Sequence, residues 1–117
     1  MQLTKLKLTK EASNRVRHLA GRTGLTPNLL CRLGFVMSLA EPRVPDPDVY
    51  PEEDREFNRY TLLGEHDETF VAMLRERCAS DGLKDVAIEG YFRAHMNRGI
   101  DLLSRRIKNV GQIAELL

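Results

Sequence analysis

The sequence predicts a mainly α protein, a single helical domain with a short N-terminal basic ribbon. Three observations predict it. Residues 1–9 interleave apolar with polar or basic side chains, two short capped helical patterns follow directly, and apolar residues recur at three- and four-residue spacing through the last third of the chain. A chain of 117 residues makes one domain, long enough for a core and short enough that association can complete it. That domain, 1–117, divides into a strand-and-two-helix part at 1–41, an acidic proline-rich loop at 42–56 and a helical part at 57–117.

The ribbon, MQLTKLKLT, puts Leu6 and Leu8 on one face and Lys5 and Lys7 on the other, because strand side chains alternate. A strand this short cannot stand alone. Its order before two helices is that of ribbon-helix-helix proteins, so the N-terminal part reads as ribbon-helix-helix-like and the expected neighbour is the same strand of a second subunit. Thr9 caps the first helix, in which Ala12, Val16, Leu19 and Ala20 form an apolar stripe while Lys10, Asn14 and Arg17 line another side. Gly21 and Gly24 supply its stop. Thr26 caps the second helix, with Pro27 in its first turn. Leu29, Leu30, Leu33, Val36, Met37 and Ala40 make that helix apolar over a wide arc, so burial against a symmetry mate is expected.

Residues 42–56 hold four of the five prolines together with Asp46, Asp48, Glu52, Glu53, Asp54 and Glu56, and are expected to form an exposed loop. FNRYTLLGEH, at 57–66, is too short and irregular to assign. Phe57, Tyr60, Leu62 and Leu63 are expected to pack onto the helices, Asn58 or Arg59 to bond a helix terminus, and Gly64 to permit a turn. Asp67 is the expected cap of a third helix with Phe70, Val71, Leu74 and Cys78 inward, ending near Gly82. Asp85 is the expected cap of a fourth, with Ile88, Tyr91, Phe92 and Met96 inward. A break at Arg98-Gly99 then leads into a last helix with Ile100, Leu103, Ile107, Val110, Ala114 and Leu117 on one face, weakened near its end by Gly111.

The net charge of +1 conceals a segregation. Residues 1–43 carry eight Lys/Arg against Glu11 and Glu41, residues 44–85 carry twelve Asp/Glu against five Lys/Arg, and the remainder holds five Lys/Arg against three Asp/Glu. A basic front on a nearly neutral protein suits a polyanion on one face and a different partner on the other. Cys31 and Cys78 sit inside apolar helical patterns with no ligand spacing, and read as buried reduced thiols. No apolar run approaches membrane-spanning length and no apolar leader opens the chain, so a soluble, cytoplasmic protein is expected.

Lysines on one face of a two-stranded ribbon fit a major groove, and flanking basic residues can hold phosphates. Lys5, Lys7, Lys10, Arg17 and Arg22 are the expected DNA-binding residues, by electrostatic grip with little sequence readout. The competing reading is that these lysines only solvate an edge strand. The acids of the 42–56 loop could in principle hold Mg²⁺, but a proline-broken loop is a poor scaffold for a metal site. His18 reads as surface, His66 as loop and His95 as lining the fourth helix, with no nucleophile nearby. No catalytic residue, metal site or cofactor is expected, and the protein reads as a non-enzyme.

Two segments, TGLTPNLLCR at 23–32 and EFNRYTLLGEHDETFVAMLR at 56–75, separated by the acidic proline loop, resemble the DndE family of DNA sulfur modification proteins. The resemblance implies a bacterial phosphorothioation system, in which sulfur replaces a non-bridging phosphate oxygen of DNA. It further implies an accessory without a cofactor that binds double-stranded DNA, with nicked DNA preferred. Such an accessory assembles as a homo-oligomer, a tetramer being expected, and works with companions resembling a cysteine desulfurase, an iron–sulfur protein and an ATPase. Two alternatives stand beside it: a ribbon-helix-helix transcriptional regulator or antitoxin, and an adaptor whose acidic loop docks companion proteins of the modification complex.

Overall fold

The computed structural model describes residues 3–83 and 88–107 and shows a mainly helical domain with one two-stranded sheet. The first strand, β1 (Lys5–Lys7), pairs antiparallel with β2 (Glu56–Asn58) of the same chain, so that Lys5 faces Asn58, Leu6 faces Phe57 and Lys7 faces Glu56. This corrects the expected pairing across subunits. Backbone bonds from Leu8 N to the Arg55 carbonyl (2.8 Å), from Asp54 N to the Leu8 carbonyl (2.9 Å) and from Arg59 N to the Thr4 carbonyl (2.9 Å) extend the ladder at both ends. Leu3, Leu6, Leu8 and Phe57 are thereby buried against the helices. Only the order of strand, helix and helix is ribbon-helix-helix-like.

Helices α1 (Lys10–Thr23) and α2 (Pro27–Ala40) begin where their caps predict. The side chain of Thr9 accepts from Ala12 N and that of Thr26 from Leu29 N, and Gly24 ends α1 at φ 76°. Ala12, Val16 and Leu19 are buried as expected. In α2 the buried face is Leu30, Cys31, Gly34, Phe35 and Ser38. Leu29 and Val36 are instead 37% and 42% exposed. The apolar arc is wider than the surface available to cover it within one chain.

The unassigned segment becomes β2 and a short helix, α3 (Arg59–Leu63), with Asn58 as its cap and Gly64 turning the chain at φ 64°. Leu62 and Leu63 are buried, whereas Tyr60 is 55% exposed, contrary to its expected packing. Helix α4 (Asp67–Ser80) starts one residue before the expectation allows: His66 holds the cap position, while Asp67 lies in the first turn and pairs with Arg59. Val71, Leu74 and Cys78 face inward.

The last helix, α5 (Ile88–Arg106), runs unbroken through Arg98 and Gly99, which corrects the expected break there. Gly99 serves a close crossing with Gly34 of α2. Around that crossing Phe35 meets Phe92 edge-on at 5.6 Å and Phe70 at 6.2 Å. Asn97 ties the ribbon to α5: its Oδ1 accepts from Thr9 N and its Nδ2 donates to the Arg93 carbonyl. Asp85, Val110, Gly111, Ala114 and Leu117 lie outside the described residues.

The proline-rich loop contains a short 3-10 turn, Pro47–Val49, and is pinned by three arginines through its carbonyls. Arg77 donates to the carbonyls of Leu39, Glu41, Pro42 and Arg43, and Arg98 to those of Ser38 and Arg43. Arg93 donates to the carbonyls of Tyr50 and Pro47 and to the Glu52 carboxylate. A segment that cannot satisfy its own backbone by helix or sheet obtains its partners from guanidinium forks.

Candidate nucleic-acid interface

The five expected contact residues fall into two groups. Lys5 is exposed and Lys7 half-buried on β1, while Lys10, Arg17 and Arg22 are exposed on α1. None of the five side chains makes a hydrogen bond or ion pair among the described residues. Lys10 and Arg17 are seven residues apart, so they share one helix face about 10 Å apart along the axis, with exposed Asn14 between them. Arg22, five residues beyond Arg17, projects from another side of the helix about 140° round, with exposed His18 between them in angle.

The two groups differ in their electrostatic setting. Lys5 and Lys7 line a cleft of about 230 Å³ whose other charged residues are Glu52, Glu56, Glu89 and Arg93. Three carboxylates share the field of the ribbon lysines there. On α1 the acid of the first turn, Glu11, is engaged by Arg15 at 2.6 Å, and Arg15 also reaches Asp101 at 2.9 Å. Among the described residues no carboxylate forms an ion pair with Lys10, Arg17 or Arg22, and the one acid on α1, Glu11, is held by Arg15.

Most other arginines face inward work. Arg32 donates to the carbonyls of Leu62 and Thr61, holding α2 to α3. Arg59 grips Asp67 through two bonds of 2.7 and 2.8 Å and donates to the Leu3 carbonyl at 3.0 Å. The hydrogen bonds to Asp67 push its pKa above the ordinary arginine value. Arg77, Arg93 and Arg98 hold the loop. A count of basic residues therefore overstates the donors left free to reach anything outside the chain.

Interior titratable groups are arranged for packing. Burial pushes the Cys31 thiol up to about 12, so it stays protonated, and Cys78 is buried as well. Fully buried His95 has Nδ1 2.8 Å from Ser38 Oγ, which also accepts from Arg98 Nε at 2.8 Å. Arg98 Nη2 also lies 3.5 Å from His95 Nδ1, whereas Nε2 is buried with no hydrogen-bond partner among the described residues. Burial first, then the positive charges of Arg98 and Arg77, lower the His95 pKa to about 4. Among the described residues no group of three or more His, Cys, Asp or Glu side chains is placed to hold a metal ion. No described helix is long and apolar enough to cross a membrane.

This architecture defines a class, a small helical domain with an exposed cationic helix beside a short sheet. The family model for DNA sulphur modification protein DndE matches residues 5–110, and the chain belongs to the DndE family. The fold matches the crystal structure of DndE from Escherichia coli B7A, involved in DNA phosphorothioation modification, with a TM-score of 0.71 and 26% identity over 88% of this chain and 98% of that one. It also matches a glycine-to-lysine mutant of DndE, involved in DNA phosphorothioation, with a TM-score of 0.69 and 22% identity over 88% of this chain and 99% of that one. At that identity the second likeness shows the fold alone. No curated protein matches significantly.

Proposed function

We propose that this chain is a non-enzymatic accessory of a bacterial DNA phosphorothioate modification system, acting in the cytoplasm by gripping double-stranded DNA, with nicked DNA preferred. The observation that carries the proposal is the set of exposed cations on α1, Lys10, Arg17 and Arg22, none of them paired with a carboxylate among the described residues, in a chain of the DndE family. Lys5 and Lys7 extend the surface from the ribbon, with their field reduced by the facing glutamates. The grip is electrostatic: each phosphate neutralised releases counterions, so affinity falls with salt and discriminates little between sequences.

Several subunits supply affinity that one lacks. Half-exposed Leu29 and Val36, on the side of α2 that the chain itself leaves uncovered, favour a homo-oligomer, a tetramer being the assembly proposed. The loop acids Asp46, Asp48, Glu52, Glu53, Asp54 and Glu56 are all exposed on a backbone held by arginine, which favours a second role in docking companion modification proteins.

Titration with intact, nicked and single-stranded DNA tests the proposal. Three phosphates per subunit give a loss of roughly 40-fold in affinity per engaged subunit between about 50 and about 200 mM salt, similar for unrelated sequences. Binding confined to one operator sequence would mark a transcriptional regulator instead. Nicking in the presence of Mg²⁺ or Mn²⁺ would mark an enzyme.

A further inference from the structure

We propose that Tyr60 is a stacking platform for an unstacked nucleobase, such as one flanking a nick or lying in a single strand. The proposal rests on the DNA-binding reading and adds a base contact to a surface otherwise made of phosphate contacts. Among the large hydrophobic side chains exposed in the described residues, Tyr60 is the aromatic one, the others being Leu29, Val36, Val44, Val49 and Met73. An exposed apolar side chain is ordinary by itself. What sets Tyr60 apart is how firmly it is held.

The Arg59 guanidinium lies over the Tyr60 ring, 4.8 Å from its centroid. That guanidinium is itself immobilised by two bonds to Asp67 and one to the Leu3 carbonyl, with side-chain exposures of 18% for Arg59 and 15% for Asp67. The backbone is fixed on both sides: Tyr60 N donates to Asn58 Oδ1 at 2.9 Å, and the Tyr60 carbonyl accepts from Gly64 N. One face of the ring is thus covered by a fixed cation, while the residue as a whole stays 55% exposed. The arrangement offers an exposed aromatic ring already stacked on one cation, which leaves a second partner to come from outside the chain.

Its position suits the same ligand. Asn58, two residues before Tyr60, is the cross-strand partner of Lys5, an exposed cation without an ion pair in the described residues. Arg59 is neutralised by Asp67, so the flanking phosphate would be met by Lys5. Stacking on an aromatic face is tolerant of sequence, as every base has a π-face, and requires no order in the strand beforehand. A fully stacked duplex interior offers no such face, whereas a nick or a single strand does. A preorganised ring also limits the ordering cost on binding.

The test uses the full chain with Tyr60→Ala and Tyr60→Phe, melting curves confirming that both fold. Each is titrated with an intact duplex, the same duplex carrying a central nick, and an oligothymidylate of equal length. Tyr60→Ala is expected to weaken nicked-duplex and oligothymidylate binding about tenfold while changing intact-duplex binding less than twofold. Tyr60→Phe, which keeps the face and loses the hydroxyl, is expected to bind like the wild type. A 2-aminopurine beside the nick is expected to be quenched by the wild type and not by Tyr60→Ala. Equal losses on all three DNAs, or none on any, would overturn the platform while leaving DNA binding in place. An altered solution mass for Tyr60→Ala with unchanged DNA affinities would overturn it too, assigning the ring to an interface between copies. A wild type that binds none of the three would remove the DNA reading itself, and the platform with it.

Discussion

Gly34 and Gly99 touch backbone to backbone where α2 crosses α5: a Cβ on Gly99 would lie 1.9 Å from the Gly34 carbonyl oxygen, and one on Gly34 would lie 2.7 Å from the Gly99 carbonyl carbon. No real Cβ tolerates such separations against backbone, so either alanine forces the helices apart. Gly99→Ala is expected to cost about 3 kcal/mol and to lower the melting temperature by roughly 10 °C. Gly21, in α1 with nothing within 4 Å of its virtual Cβ, is the control. Gly21→Ala is expected to stabilise by about 0.5 kcal/mol. Calorimetry of the two variants separates a packing glycine from an incidental one.

The Ser38–His95–Arg98 cluster beside that crossing makes stability depend on acid. Burial, followed by Arg98 and Arg77, holds His95 at about 4, against 6.5 for the free side chain. The unfolded chain therefore binds the extra proton between pH 6.5 and pH 4. Stability is full above about pH 6.5 and falls as pH drops towards 4, by up to about 3 kcal/mol. Urea titrations from pH 7 to pH 4 check this. His95→Gln is expected to be less stable at neutral pH and to lose most of that slope.

Arg93 is expected to control the order of the acidic loop. Its guanidinium donates to the Tyr50 carbonyl at 2.7 Å, the Pro47 carbonyl at 3.3 Å and Glu52 at 3.2 Å. Arg93→Ala leaves those carbonyls to water and is expected to loosen the loop by about 2 kcal/mol. The amides of Val49 and Tyr50, bonded to the Asp46 and Pro47 carbonyls at 3.1 Å, should then exchange at least tenfold faster while α1 amides are unchanged. Hydrogen exchange read at single residues decides it.

What was legible in the sequence was local. Thr9, Thr26 and Gly24 announce helix ends because a cap acts within three or four residues, and Leu6 and Leu8 announce a buried strand face because alternation is local as well. The ribbon's partner was not legible: β2 is only three residues long and lies some fifty positions away, so no periodicity marks it. Gly99 looked like a helix break because its reason for being glycine sits on another helix. The candidate site was half legible. Lys10, Arg17 and Arg22 stand where the helical pattern puts them, but composition cannot show that Glu52, Glu56 and Glu89 face Lys5 and Lys7. Nor can it show that Arg59 supports an exposed Tyr60, since the motif around them reads equally well as packing.

The salt dependence of binding to intact duplex DNA is the sharpest check on the exposed cations of α1. Replacing Lys10, Arg17 and Arg22 by alanine is expected to flatten the slope of log affinity against log salt by about 2.7 per engaged subunit. Replacing Lys5 and Lys7 should flatten it less, because carboxylates already share their field. A folded triple variant with an unchanged slope would remove α1 from the phosphate-binding surface.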